Sequence, residues 1–187
     1  MKLYALCDQD MLDSNGVSIE EFVEIAKKNS AEILQYRNKN ADITFIKKQL
    51  IRIRKIYDGF LVVNDAYELI EYCDGVHMGQ EDLHAIDEDI SKAVKILRSV
   101  VTEDKILGIS THNKEEVIEA NSLALNYIGL GAYRATRTKG DINTILGESI
   151  DSIASNSKHL VAAIGGVKLS DNFEHITYNV IGSALLS

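Results

Sequence analysis

Arg37, Lys39, Asp65, Asp82 and Lys139 are of the types that bind phosphate and metal, and each lies at or after the end of a short apolar run. Arginine offers phosphate a planar fork and lysine a compact point charge. Two carboxylates together with substrate phosphates are the usual way to hold Mg²⁺, which keeps much of its water and is seldom caged by protein alone. Each residue also has a plainer explanation. A single Lys or Arg is more often a surface salt-bridge partner, and Asp65 could cap a short helix predicted over 66–72. Glu81 serves equally well as an acceptor behind a metal or as an exposed carboxylate. Taken as a set, the three cations and two carboxylates read as a Mg²⁺-assisted diphosphate site. Arg134 and Arg137 are weaker additions to it, because loop arginines are common.

Two glycine-bearing segments point to a second anion site. Ala163-Ile164-Gly165-Gly166 and Val180-Ile181-Gly182-Ser183 each follow an apolar run with residues that leave backbone N–H groups open to a phosphate. Either alone could be a tight turn. The histidines carry less. His77 fits a hydrogen-bonded interior histidine, and His112, after Ser110, could move a proton. No spacing fits a zinc site or a nucleophile–His–acid triad.

These residues need elements that bring them together. Eight short apolar runs occur: 3–7, 33–36, 60–63, 75–78, 106–109, 127–130, 160–164 and 179–181. Continuous apolarity suits strands buried on both faces, as in a parallel sheet. Helical periodicity lies between them: Ser18 with Glu21 forms a capping box ahead of Ile19, Phe22, Val23 and Ala26. Ile46/Leu50/Ile53 and Ile90/Ala93/Val94/Leu97 form further stripes, and Asn113 with Glu116 marks another helix start. Strands alternating with helices allow a (β/α)8 TIM barrel or a doubly wound open sheet. An open nucleotide-binding sheet would carry a Gly-rich loop after its first strand, whereas Asp8-Gln9-Asp10 follows here. The glycine signals come after the last two strands, where barrels place phosphate. The barrel is therefore the expected fold, over residues 1–187 as one domain. In a parallel barrel all strand ends share one rim, so the polar residues ending these runs converge.

Composition is compatible. The chain has 187 residues and a net charge of −8, which argues against general nucleic-acid or anionic-membrane binding but not against anionic substrates. Cys7 and Cys73 form no disulfide framework and read as small core residues in a reducing cytoplasm. The first residues read as a short strand and not as a signal peptide, and no apolar run approaches a membrane span. The chain contains no proline.

The motifs as an ordered set resemble those of the thiamine phosphate synthase family, which is related to the thiazole tautomerases. They read Gln35-x-Arg37-x-Lys39, Asn64-Asp65, Asp74-Gly75-x-His77-x-Gly79-Gln80-Glu81-Asp82, Gly108-x-Ser110-Thr111-His112, Thr136-x-Thr138-Lys139, Ile164-Gly165-Gly166 and Gly182-Ser183. The resemblance implies condensation of hydroxymethylpyrimidine diphosphate with thiazole phosphate to thiamine phosphate and pyrophosphate. It implies that Gln35, Arg37, Lys39, Asn64, Ser110 and Lys139 hold the pyrimidine diphosphate, that Asp65 and Asp82 hold Mg²⁺, and that Thr136, Thr138, Gly166, Gly182 and Ser183 hold the thiazole phosphate.

Two departures from the family pattern carry expectations. The family's proline-containing loop before Thr-x-Thr-Lys reads here Gly131-Ala132-Tyr133-Arg134-Ala135, with less rigidity and an added charge. The chain has only six residues after Ile181, where the family continues into a final helix, so the barrel is expected to lack that helix. Apolar surface beside the first and last strands then needs another cover: a neighbouring subunit in a homodimer, a rearranged seventh segment, or residues missing from a truncated chain. The alternatives in function are a thiazole tautomerase with His112 as its acid–base group, against which Asp65, Asp82 and Lys139 count, and a non-catalytic paralogue that binds thiamine precursors.

Overall fold

The computed structural model describes residues 1–135 and 144–186. Eight parallel strands close into a barrel in sequence order: β1 (Lys2–Asp8), β2 (Ile33–Arg37), β3 (Phe60–Asn64), β4 (Gly75–Met78), β5 (Ile106–Thr111), β6 (Tyr127–Leu130), β7 (Leu160–Ala163) and β8 (Tyr178–Ile181). The helices are α1 (Gln9–Asn15), α2 (Ile19–Lys28), α3 (Ile43–Arg54), α4 (Gln80–Ile86), α5 (Ile90–Val100), α6 (Lys114–Ala120) and α7 (Ser149–Ala154). A 3-10 turn, Tyr67–Tyr72, stands where a short helix was expected after β3.

Local chemistry explains the helix starts. Ser18 Oγ accepts from Glu21 N–H while Glu21 Oε2 accepts from Ser18 N–H, the reciprocal box read from the sequence. Asp8, Asp42, Asp89 and Asn113 cap α1, α3, α5 and α6 through their side-chain oxygens.

The strand register divides each strand into two faces. Tyr4 and Leu6, Ile33 and Gln35, Val62, Tyr127, Ala162, Tyr178 and Val180 fill the barrel interior, in an inner cluster separate from the outer one. Leu3, Ala5, Leu34, Leu61, Val63, Val76, Leu107, Ile128 and Val161 face outward into the larger core beneath the helices. Burial on both faces is why the strands read as unbroken apolar runs.

The helical layer is incomplete on one side. Residues 164–177 join β7 to β8 without a helix, and after β8 the described chain makes only a 3-10 turn, Ser183–Leu185. The cover for β8 is a rearranged seventh segment. Its Val167 and Ile176 are buried, and the side chain of Asn179, on the outward face of β8, donates to the carbonyls of Lys168 (3.2 Å) and Asp171 (2.9 Å). Asn179 Oδ1 is buried without a hydrogen-bond partner. No helix among the described residues is long and apolar enough to cross a membrane.

Candidate active site

The strand ends of β1 to β5 bring most of the residues expected to bind diphosphate to one rim. Asp65 follows β3 with a left-handed backbone, φ 60°. Its carboxylate does not cap the following turn, whose first residues have no side-chain cap. Instead Asp65 Oδ1 accepts from Gly79 N–H at 2.9 Å, across to the end of β4. Asp82, in the first turn of α4, approaches the same glycine: a Cβ at position 79 would lie 2.7 Å from Asp82 Oδ2 and 3.7 Å from Asp65 Oδ1. The two carboxylates thus face one another over a residue that has no side chain. Burial, together with the Asp82 charge, pushes the Asp65 carboxyl up to about 6, against the pull of the Gly79 N–H and of Lys39. Two carboxylates held this close, one of them reluctant to ionise, form an oxygen donor pair that suits a hard divalent cation.

Arg37 and Lys39 leave the end of β2 for this rim. Arg37 is mostly buried and ion-paired with Asp8 at the end of β1, directly beside it in the register. Asp8, almost fully buried, also accepts from Met11 N–H and so starts α1. Sequence reasoning missed Asp8, although it is the inward-facing residue after Tyr4 and Leu6. Lys39 is exposed and close enough to Asp65 to draw its carboxyl down. Gln35 Nε2 donates to Asn64 Oδ1 at 2.9 Å, and Asn64 Nδ2 donates to Asp65 Oδ2. Ser110 is buried at the end of β5 and meets His77 Nε2 at 3.0 Å, so His77 is a hydrogen-bonded interior histidine. His112 is paired with Glu116 in α6, Nδ1 to Oε2 at 3.0 Å. Glu81 is exposed. Lys139, Thr136, Thr138 and Arg137 lie outside the described residues.

The residues expected to form the second anion site follow β7 and β8. Among the described residues, the backbone N–H groups of Gly165, Gly166, Gly182 and Ser183 find no acceptor. Gly165 and Gly166 both have positive φ, 86° and 65°. The room they leave is used in part by the chain itself. A Cβ at Gly165 would lie 2.6 Å from Ala132 Cβ, and one at Gly166 would lie 2.8 Å from Arg134 Cβ. The loop after β6 lies on this turn through Tyr133 N–H to Ile164 O and Arg134 N–H to Gly165 O, both 2.8 Å. Arg134 adds a bidentate ion pair to Asp171 and a bond to the carbonyl of Gly166. Arg134 is therefore a strut between two loops.

Among the described residues, one other group has metal-ligand spacing, Asp151 with Glu174 and His175. Asp151 already accepts from the N–H groups of Glu174 and His175, so it fastens the approach to β8.

The profile of the thiamine monophosphate synthase family matches residues 3–187. This chain belongs to that family. It is 34% identical over 172 residues to the thiamine-phosphate synthase of Persephonella marina, a match covering 89% of this chain and 77% of the relative. To that of Clostridium novyi it is 32% identical over 192 residues, covering 100% of this chain and 89% of the relative. Among solved structures, a thiamine phosphate pyrophosphorylase from Pyrococcus furiosus shares the fold, with a TM-score of 0.76 at 23% identity over 98% of this chain and 86% of that one. An aldolase, QR15, shares the barrel with a TM-score of 0.67 at 14% identity, covering 99% of this chain and 91% of that one.

Proposed function

We propose that this chain is a thiamine-phosphate synthase that joins hydroxymethylpyrimidine diphosphate to thiazole phosphate and releases pyrophosphate. The observation that carries the reading is the meeting of Asp65 and Asp82 over Gly79, beside Lys39 and the Asp8-held Arg37. It gives a leaving diphosphate both cationic and metal-type partners. Across the barrel mouth, the N–H groups of Gly165, Gly166, Gly182 and Ser183, which find no acceptor among the described residues, suit a monophosphate.

The diphosphate leaves with the electron pair of its C–O bond, and the pyrimidinylmethyl carbon carries the positive charge. The thiazole nitrogen then donates its lone pair to that carbon, and the product ring takes the charge. The protein need only neutralise the leaving group and hold the two rings in line. Arg37, Lys39 and Lys139 perform the first task. Gln35, Asn64 and Ser110 hold the pyrimidine, and Thr136, Thr138, Gly166, Gly182 and Ser183 hold the thiazole phosphate. Mg²⁺ held by Asp65 and Asp82 would supply further charge neutralisation at the diphosphate.

The test is incubation of the purified chain with both substrates and Mg²⁺, followed by oxidation of the product to its fluorescent derivative. Metal-dependent fluorescence is expected, with a loss of roughly 10²-fold or more in Asp65→Ala and Lys139→Ala, the scale for removing one preorganised charge-stabilising group. Wild-type protein without signal, or either variant near the wild-type rate, would overturn the assignment.

A further inference from the structure

Gln35, Asn64 and Ser110 stand on three different strands, and a hydrogen-bonded chain through the barrel interior connects them. Ser110 Oγ meets His77 Nε2 at 3.0 Å, and His77 Nδ1 meets the Tyr127 hydroxyl at 2.9 Å. The Tyr127 hydroxyl meets that of Tyr4 at 2.9 Å, and Tyr4 donates to Gln35 Oε1 at 3.0 Å. Gln35 Nε2 donates to Asn64 Oδ1, and Asn64 Nδ2 to Asp65 Oδ2. Tyr4 and Tyr127 are 1% and 3% exposed, so water does not compete for these hydroxyls. The His77 and Tyr127 rings stack with centroids 5.5 Å apart. Interior glycines admit both rings: a Cβ at Gly108 would lie 2.2 Å from Tyr127 Cε1 and Cζ, and one at Gly129 would lie 3.0 Å from His77 Cε1.

With Asp65 ionised, the chain has one self-consistent direction. It ends on a carboxylate oxygen, which accepts. Asn64 turns its N–H₂ to Asp65, so its oxygen faces Gln35. Gln35 gives an N–H to that oxygen, so its own oxygen faces Tyr4. Tyr4 has one proton and gives it to Gln35, so Tyr127 must donate to Tyr4. Tyr127 has then spent its one proton, so His77 Nδ1 must carry hydrogen and donate to Tyr127. Both His77 nitrogens meet hydroxyls, Nδ1 that of Tyr127 and Nε2 that of Ser110, and Nδ1 carries the hydrogen. In a neutral ring with that hydrogen, Nε2 is an acceptor and Ser110 donates to it.

We propose that Tyr4, Tyr127 and His77 are positioning residues that fix the polarity of the ligand-facing groups, so that Gln35 presents an N–H and Ser110 presents only lone pairs. The ligand this selects is a heteroaromatic ring whose edge carries an acceptor toward β2 and a donor toward β5. The inference rests on the assignment of Gln35 and Ser110 to the pyrimidine in the proposed function. The tyrosines act through other residues and touch no reacting atom.

The test pairs a spectroscopic readout with kinetics. In ¹⁵N-histidine-labelled protein, the ring nitrogens of His77 are expected to report a neutral ring protonated at Nδ1. Tyr127→Phe removes one hydroxyl and keeps the ring, so the Nδ1–H form should lose its dominance, and the KM for the pyrimidine diphosphate should rise about tenfold, the scale for one hydrogen bond. The KM for the thiazole phosphate should not move. Tyr178→Phe is the control: its hydroxyl reaches Glu32 and lies outside the chain, so neither readout should change. A wild-type His77 protonated at Nε2 or at both nitrogens would overturn the proposal, as would an unchanged tautomer in Tyr127→Phe. The nitrogen spectra are read without turnover. A protein that lacks synthase activity but shows the expected tautomer would therefore overturn the proposed function and leave the polarity of the chain standing.

Discussion

The guanidinium of Arg134 grips the carboxylate of Asp171 with both forks, Nη1 at 2.6 Å and Nη2 at 3.0 Å, while Nη1 also donates to the carbonyl of Gly166 at 3.0 Å. One side chain from the loop after β6 thereby fixes the turn after β7. Arg134 raises no demand on folding, because the pair is partly exposed and such pairs contribute little. Arg134→Ala is expected to cost less than about 1 kcal/mol in denaturant unfolding. It should nevertheless raise the KM for the thiazole phosphate about tenfold, within the roughly 10²-fold that a displaced binding group can cost. Lys in its place cannot grip with two forks and should recover only part of the loss.

Asp65 is held in a state that the metal-free protein tolerates poorly. Its carboxyl is raised to about 6 by burial and by Asp82. A carboxyl raised on folding binds more protons in the native than in the unfolded state, so its contribution to stability falls as pH rises from its ordinary value toward about 6. Asp65→Asn removes the charge, and Asn accepts a left-handed backbone. The metal-free variant is expected to melt higher than the wild type at about pH 7.5, with the difference shrinking toward pH 4.5, while synthase activity is lost. Melting curves across that range, with and without Mg²⁺, check both halves.

Gly79 has an ordinary backbone, φ −73°, so an alanine there meets no backbone strain. Its methyl would instead press on Asp82 Oδ2. Gly79→Ala should keep a wild-type circular dichroism spectrum and weaken Mg²⁺ binding by about tenfold in calorimetry, the effect of displacing one ligand oxygen in a rigid pair.

Asn179 tests the rearranged cover of β8. Asn179→Ala leaves the carbonyls of Lys168 and Asp171 without their donor, at about 1–3 kcal/mol. Asn179→Asp is nearly the same shape but turns an acceptor toward both carbonyls, and should cost more, on the order of 3–5 kcal/mol. Equal losses in urea unfolding would show that the side chain acts there by volume alone.

The barrel was legible because its strands are buried on both faces. Tyr127–Leu130 and Gly75–Met78 have in the structure the limits their apolar runs mark. The carboxylate pair was legible because strand ends of a barrel share a rim, and Asp65 and Asp82 follow neighbouring strands. The partners of these residues were not. Asp8 meets Arg37 through strand register, which adjacent letters do not record. Tyr4 and Tyr127 read as apolar strand residues, and only inward alternation reveals hydroxyls aimed at one another. Gly165 and Gly166 were read as room for phosphate or as a tight turn, whereas residues 132–135 already occupy part of that room.

The cover built from residues 164–177 has a consequence at the barrel's closing seam. β7 and β8 pair through two residue pairs, Ala162 with Tyr178 and Ala163 with Asn179, where β1 and β2 pair through five. The amides of this seam are expected to exchange with solvent ahead of the rest of the sheet, because short ladders with thin cover open first. An anion bound to the N–H groups of Gly166 and Ser183 would bridge the two strands from above, so that a bound ligand would close a joint that most other strand pairs close with a helix.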